Sequence, residues 1–274
     1  MSALRVPSMF TESDLKNLAR KIGLNPFSLE RDLVFVSLLL AIGGLPTAFR
    51  KLILKGGGAL KRIYFPNWRQ HENLRFSVEE KQSDRELISL IQNVLKKAEK
   101  ETEIKFQYQE SFREKRSFRV LVAYAGPLRR PTIITLLFSL GEPLFLSPCK
   151  EDVITDPFPL KPRKISTMAL EEILAEKLRD FLLAGEPKDL YDAWRLLAEH
   201  FPILDREDFK RTLERKCQAA GFDLEGPQDF LDPELFVPTR AYWEIKLSEV
   251  VPTLPPFEEV YSQFKQLLPA LLAS

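Results

Sequence analysis

Cysteine and histidine are scarce in this chain, with two of each in 274 residues. Cys149 and Cys217 stand alone, with no CxxC pair and no histidine at ligand spacing, so neither a structural zinc site nor a disulfide framework is expected. His71 and His200 are equally isolated, and no Ser-His-Asp or Cys-His arrangement follows from spacing. An excess of one charge is also missing. Forty Lys and Arg against 39 Asp and Glu leave a net charge of +1, which argues against coating nucleic acid by bulk electrostatics and leaves local basic patches open. The most apolar run, Leu33 to Leu45, is about half the length a bilayer-spanning helix needs, and Glu30, Arg31 and Asp32 lie directly before it. It reads as a buried core helix. Met1 to Phe10 lacks the charged, apolar and small-residue blocks of a secretory signal, so export is not expected and a cytoplasmic location is the default. Repeats at solenoid periods and low-complexity tracts are absent too.

What remains is an ordinary globular composition, 45% hydrophobic and 29% charged, in a chain long enough for one large domain or two small ones. Thr11 or Ser13 can cap a first helix ended by Gly23, and Ser28 opens a second that closes at Gly43-Gly44. A strand at Leu52, a glycine turn, a short helix to about Tyr64 and a strand from Leu74 to Val78 follow. A helix over about Ser83 to Lys100 carries Leu87, Ile88, Ile91, Val94 and Leu95 on one stripe. Glu103 to Phe112, Ser117 to Tyr124 and Thr132 to Leu140 read as strands, with Glu114-Lys115-Arg116 as a hairpin connection. Pro143 to Arg163 holds five prolines and reads as a loop-rich bridge. Beyond it the pattern is helical: Met168 to Ala184, Pro187 to His200, Asp205 to Ala220, Thr239 to about Leu247, and Pro256 to Leu272. The fold class is therefore mixed α/β (α+β), with residues 1–163 forming an α/β domain and 164–274 a helical C-terminal domain.

Gly56-Gly57-Gly58, between the apolar strand and a helix, is the segment most open to chemistry. Glycines there let the backbone approach a ligand, and the N–H groups opening the helix can hold a phosphate. Three glycines also make a flexible turn, and Ala59-Leu60-Lys61 supplies none of the Gly-Lys-[Ser/Thr] ending of a Walker loop. Basic residues surround the turn (Arg50, Lys51, Lys55, Lys61, Arg62, Arg69), with Tyr64, Phe65 and Trp68 interleaved. A second basic group, Arg113, Lys115, Arg116, Arg119, Arg129 and Arg130, marks the hairpin region. Both groups read either as solvated surface or as contacts to nucleotide or RNA. Glu172 with Glu176, and Asp189 with Asp192, stand at helical spacing, which by itself describes solvated faces or structural ion pairs.

The segment Leu52 to Leu60, followed by Arg69-Gln70-His71-Glu72-Asn73-Leu74-Arg75-Phe76, resembles the first motif of the AbiEii/AbiGii toxin family of nucleotidyltransferases, in the DNA polymerase beta superfamily. There a strand-Lys-Gly-Gly-small-Ala-Leu element precedes an Arg-x-Ser-x-Asp-Leu-Asp-Phe strand. Leu170 to Leu178 and Lys188-Asp189-Leu190-Tyr191-Asp192 resemble the family's second block, Ala-Glu-Lys-Leu on one helix and Arg-Asp-Leu-Tyr-Asp on the next. Leu29 to Leu40 is similar to its first helices, so the resemblance runs from about residue 12 to about 200.

The resemblance implies a nucleotidyltransferase-fold mixed sheet with helices, and transfer of a nucleotide from an NTP to an RNA or protein acceptor in a toxin-antitoxin or phage-defence setting. An antitoxin is the implied protein partner, an RNA such as tRNA one implied acceptor, and no membrane is involved. Carried over residue by residue, it implies nucleotide binding at Gly56, Gly57, Gly58, Arg75 and Lys177, and catalytic roles for Lys177, Asp189 and Asp192. The family's two metal-binding aspartates fall on Asn73 and Arg75, so no metal ligands are assigned, and Mg is expected only if the site still transfers. His71 replaces the usual serine, Ala184 stands where an arginine is expected, and Thr135-Leu136-Leu137-Phe138 is apolar where related enzymes often place a third acid. Glu72 alternates to the opposite strand face, and Glu79 and Glu80 lie past the strand end, so none restores the clamp. Two readings stay open at this point: a divergent transferase, or an inactive pseudoenzyme that binds nucleotide or acts as a structural interaction subunit.

Overall fold

The computed structural model describes residues 10–78 and 82–272; Glu79 and Glu80 lie outside the described residues. The chain divides into two compact units. The first comprises Met1–Pro66, Gln70–Glu142 and Lys150–Thr167, and the second Asn67–Arg69, Pro143–Cys149 and Met168–Ser274.

The first unit is built on seven strands: β1 (Leu52–Lys55), β2 (Asn73–Val78), β3 (Lys105–Arg113), β4 (Ser117–Ala125), β5 (Thr132–Leu140), β6 (Cys149–Asp152) and β7 (Lys164–Thr167). Their order is β3-β4-β5-β2-β1-β7-β6. β1 runs antiparallel to β2 and parallel to β7, β2 runs parallel to β5, and β3, β4 and β5 form an antiparallel meander. Mixed pairing is what the sequence predicts. The proline-rich bridge, expected as loop, contributes β6 and leads into β7, whose Thr167 hydroxyl donates to the Leu54 carbonyl.

Period-two alternation sets the two faces of this sheet. Phe76, Phe118, Val120, Val122, Ile134, Leu136 and Phe138 are buried on one side, where Phe76 stacks on Phe138 at 5.5 Å between centroids. α1 (Glu12–Ile22), α2 (Pro26–Gly43), α3 (Pro46–Lys51) and α5 (Asp84–Thr102) complete the unit. Thr11 caps α1 in a reciprocal capping box with Asp14, and Ser83 does the same for α5 with Glu86. α2 starts earlier than predicted because Asn25 caps it and Pro26 fills its first position. It is buried nearly all round, as an apolar run too short for a membrane should be. Among the described residues no helix is long and apolar enough to cross a membrane.

The second unit holds α6 (Leu170–Ala184), α7 (Pro187–His200), α8 (Arg206–Ala220), α9 (Pro233–Leu247) and α10 (Phe257–Leu272). α6 packs on α7 and α8, and α7 on α9 and α10. α6 ends at Gly185 with φ +61°, where a Cβ would lie 3.1 Å from the Leu235 carbonyl oxygen, so glycine is required for both conformation and space. α9 begins earlier than predicted because Asp232 caps it and Pro233 opens it. Phe181, Phe236, Tyr261 and Phe264 form an aromatic cluster in this helical core.

Candidate nucleotide site

β1 runs directly into α4 (Gly56–Ala59), which continues as a π-helical turn over Leu60–Tyr64. Gly56 has φ +65°, a conformation an L side chain adopts only at a cost. A Cβ on Gly58 would lie 3.3 Å from Leu74 Cδ2, so the smallest residue also fits the approach of β2. No side chain caps the start of α4. Its first N–H groups have no intrahelical acceptor.

Asn73 and Arg75 lie on β2 beside this turn. Arg75 pairs in register with Lys55, the last residue before the glycines, and its Cδ would be 3.5 Å from a Cβ on Gly56. Arg75 is exposed, whereas Lys55 is buried and donates to Glu142 at 2.7 Å. β5 places Thr135 opposite Asn73 and Leu137 opposite Arg75. The strand positions that would hold paired carboxylates therefore present an amide, a guanidinium, a hydroxyl and an aliphatic chain. Among the described residues, no group of three or more His, Cys, Asp and Glu side chains is arranged to hold a metal ion.

Four of the basic residues read as potential RNA contacts, Lys55, Lys61, Arg62 and Arg69, are instead buried in ion pairs. Lys61 and Arg62 are buried and both pair with Asp32 of α2, Lys61 at 3.1 Å. Arg62 also donates to the carbonyls of Ile154 and Asp156, at 3.2 and 2.7 Å. Burial brings Lys61 down to about 8, only partly countered by Asp32. Burial opposes ionisation of Asp32 as well, but Arg62 and Lys61 outweigh it and hold the carboxyl below its usual range. This triad fixes the helix that follows the glycine turn. His71 is buried and stacks on Phe35 at 4.8 Å, a structural placement for the residue that replaces the motif's serine.

In the second unit, Asp192 is fully buried at the centre of a second charge network. It accepts from Arg69 Nε at 2.7 Å and Nη2 at 2.6 Å, from Trp68 Nε1 at 2.9 Å, and it pairs with Lys177 at 2.9 Å. Burial alone would raise its pKa; the Arg69 guanidinium and Lys177 ammonium outweigh burial and hold it well below the carboxylate range. Lys177 also donates to Asp189 at 2.7 Å, and Asp189 retains some exposure. Lys177, Asp189 and Asp192 are thus one cluster, reached from α6 and two successive turns of α7. Spacing alone did not reveal Arg69 and Trp68 as its other members; they come from a segment more than 120 positions away in sequence. Glu172 and Glu176 belong elsewhere. They hold the fully buried Lys216 at 2.9 and 3.0 Å, and Glu172 accepts from the N–H groups of Phe145 and Leu146. They are structural ion pairs and not a solvated face.

Residues 38–264 match the family model for the nucleotidyl transferase AbiEii toxin of type IV toxin-antitoxin systems. Among solved structures, the chain is similar to MenT4, a nucleotidyltransferase toxin from Mycobacterium tuberculosis H37Rv, with a TM-score of 0.66 at 17% identity over 96% of this chain and 89% of that one. At that identity the likeness shows the fold. No curated protein sequence matches. The family match spans most of the chain, and the glycine turn, β2 and the α6–α7 cluster all fall inside it: this protein belongs to the AbiEii nucleotidyltransferase toxin family.

Proposed function

We propose that the protein binds a nucleoside triphosphate through the Gly56–Gly58 turn and Arg75 and transfers its nucleotide to a hydroxyl acceptor. The observation that carries this reading is the exposed Arg75 guanidinium beside the three-glycine turn that ends β1. Backbone N–H groups that glycines leave open suit phosphate oxygens, and guanidinium pairs with them through two parallel hydrogen bonds. In the reaction, the acceptor oxygen forms a bond to the α-phosphorus. The bridging P–O bond to the β-phosphate breaks, pyrophosphate leaves with the electron pair, and the acceptor proton passes to solvent base. By the family resemblance, Lys177 is a phosphate-contacting ammonium. Asp189 and Asp192 are the groups that fix its position.

Magnesium chemistry of the two-acid kind does not fit the residues on β2. A hard divalent cation selects oxygen ligands, and Arg75 is a permanent cation where one of those ligands would stand. Arg75 supplies positive charge at the phosphates directly. The family match does not favour the inactive, purely nucleotide-binding alternative. An RNA acceptor such as tRNA, a cytoplasmic setting and an antitoxin partner complete the reading. Incubation with α-labelled nucleoside triphosphates and total RNA tests it: label should enter RNA in wild type and fall at least tenfold in Arg75→Ala. Label in neither RNA nor protein would refute transfer.

A further inference from the structure

The sheet of the first unit has a second face, opposite the one packed by Phe76, Phe118 and Phe138. The pairing registers place Arg75 opposite Leu137, Leu137 opposite Arg119, and Arg119 opposite Phe112. Residues paired in this way project to the same side, so the four side chains form one line across β2, β5, β4 and β3. Three strand spacings make the line about 14 Å long. It starts at the guanidinium beside Gly56 and ends on the edge strand.

The line is accessible, and its chemistry is uneven in an informative way. Arg75 is exposed and makes no ion pair among the described residues. Arg119 is 51% exposed, with only a loose 3.8 Å approach to the solvent-exposed Glu114. Phe112 is 46% exposed, a large area for a ring that could have been buried. Leu137 lies half-buried between the two arginines, and Leu121, Ala123 and Thr135 continue the same face as a low, uncharged floor. Glu110 is the one carboxylate that these four strands place on this side. At the adjoining hairpin tip, Lys115 and Arg116 are both exposed.

Alternating cations and a flat apolar floor ending in an exposed ring match a chain that carries phosphates on one edge and stackable rings on the other. We infer that this face holds the acceptor as single-stranded RNA, leading away from Arg75 at the triphosphate, with Arg119 on the RNA phosphates and a base stacked on Phe112. This assignment rests on the nucleotidyl-transfer reading, and it adds where the acceptor lies. A sheet face with arginines at its margins needs no groove reading of a duplex, because unpaired bases can splay onto the platform. An acidic protein would use the same cations but would not need the ring.

The test is fluorescence anisotropy of a labelled unstructured RNA oligonucleotide against the full chain. Arg119→Gln, Phe112→Ala and, as a control on the exposed side of α1, Arg20→Gln are compared with wild type over a salt series. All three positions are exposed, and unchanged melting confirms that each variant is folded. Arg119→Gln should weaken RNA binding about tenfold and reduce the salt slope by about 0.7, the share of one phosphate contact on a single strand. Phe112→Ala should weaken it about fivefold or more with the slope unchanged. Arg20→Gln should do neither. A triphosphate titration runs alongside. If both face variants keep wild-type RNA affinity while triphosphate binding and transfer persist, the acceptor face is refuted and the transfer reading stands. If the face variants lose RNA but wild type transfers no nucleotide, the RNA face stands and the transfer reading fails. Loss with Arg119→Gln, no effect of Phe112→Ala and equal binding of polyglutamate would assign the face to an acidic protein and overturn the inference.

Discussion

Asp192→Ala is the substitution whose cost follows most directly from the structure. Asp192 is fully buried and holds the guanidinium of Arg69 through two hydrogen bonds at 2.7 and 2.6 Å, with Lys177 at 2.9 Å and the Trp68 indole also donating. Removing the carboxylate leaves a buried guanidinium without its main counter-charge and an ammonium with Asp189 as its remaining carboxylate in this cluster. Breaking one partner out of a buried ion pair costs about 3–5 kcal/mol. At about 2–4 °C per kcal/mol, the melting midpoint should fall by roughly 6–20 °C. Asp189→Ala should cost less, about 1–2 kcal/mol, because Asp189 keeps some exposure and Lys177 retains Asp192. The pH dependence has a definite sign. Arg69 and Lys177 overcome the burial penalty and depress the Asp192 carboxyl in the folded state, so its contribution is complete above the unfolded value of about 4 and is lost as pH falls through the folded value. Wild type and Asp192→Ala should therefore converge on acidification below about pH 4. Thermal melts of both proteins across that range provide the assay. A loss below about 1 kcal/mol at pH 7, or a gap that widens in acid, would refute the network's role.

Gly56→Ala should cost about 1–2 kcal/mol from its positive φ, measured by denaturant unfolding, and should weaken triphosphate binding in calorimetry. Glu30→Gln should raise stability above neutral pH. Burial raises the Glu30 carboxyl despite the Leu128 N–H it accepts, and its contribution to stability is lost as pH rises from the unfolded value through the folded one, so the variant's advantage should vanish below about pH 4 in melting experiments. The double substitution Asn73→Asp with Arg75→Asp should restore magnesium-dependent transfer in the labelled-nucleotide assay if the acid clamp is all that β2 has lost; no gain would show that the surrounding residues have diverged as well.

Much of this architecture is legible in the sequence, and the reasons for the rest are specific. Capping boxes at Thr11 and Ser83, the stripe on α5 and the hairpin at Glu114-Lys115-Arg116 act locally, so their elements fall within a few residues of prediction. β6 and β7 are invisible locally. They are four residues each, flanked by prolines, and β7 exists because Thr167 and Ile165 fit beside β1. The glycine turn and the α6–α7 cluster emerge from motif order, because helical spacing already brings Asp189 and Asp192 to one face. The partners of those acids do not. Arg69 reaches Asp192 and Asp32 reaches Arg62 across long sequence separations, and no periodicity records such pairings. Charge counting misreads Lys61, Arg62 and Arg69 as surface basicity for the same reason: each is buried against a carboxylate that only the fold supplies.

In the proposed reaction Arg75, beside the glycine turn, handles phosphate charge where an acid pair would hold metal. Calorimetric titration of a nucleoside triphosphate into wild type and Arg75→Ala, with and without magnesium, tests it most directly. Wild type should bind in both conditions with strongly salt-dependent affinity, and Arg75→Ala should bind about tenfold or more weakly, the equivalent of one charge-assisted contact of about 1.5–3 kcal/mol. Absence of triphosphate affinity in wild type, or binding that requires magnesium and ignores Arg75, would contradict the account.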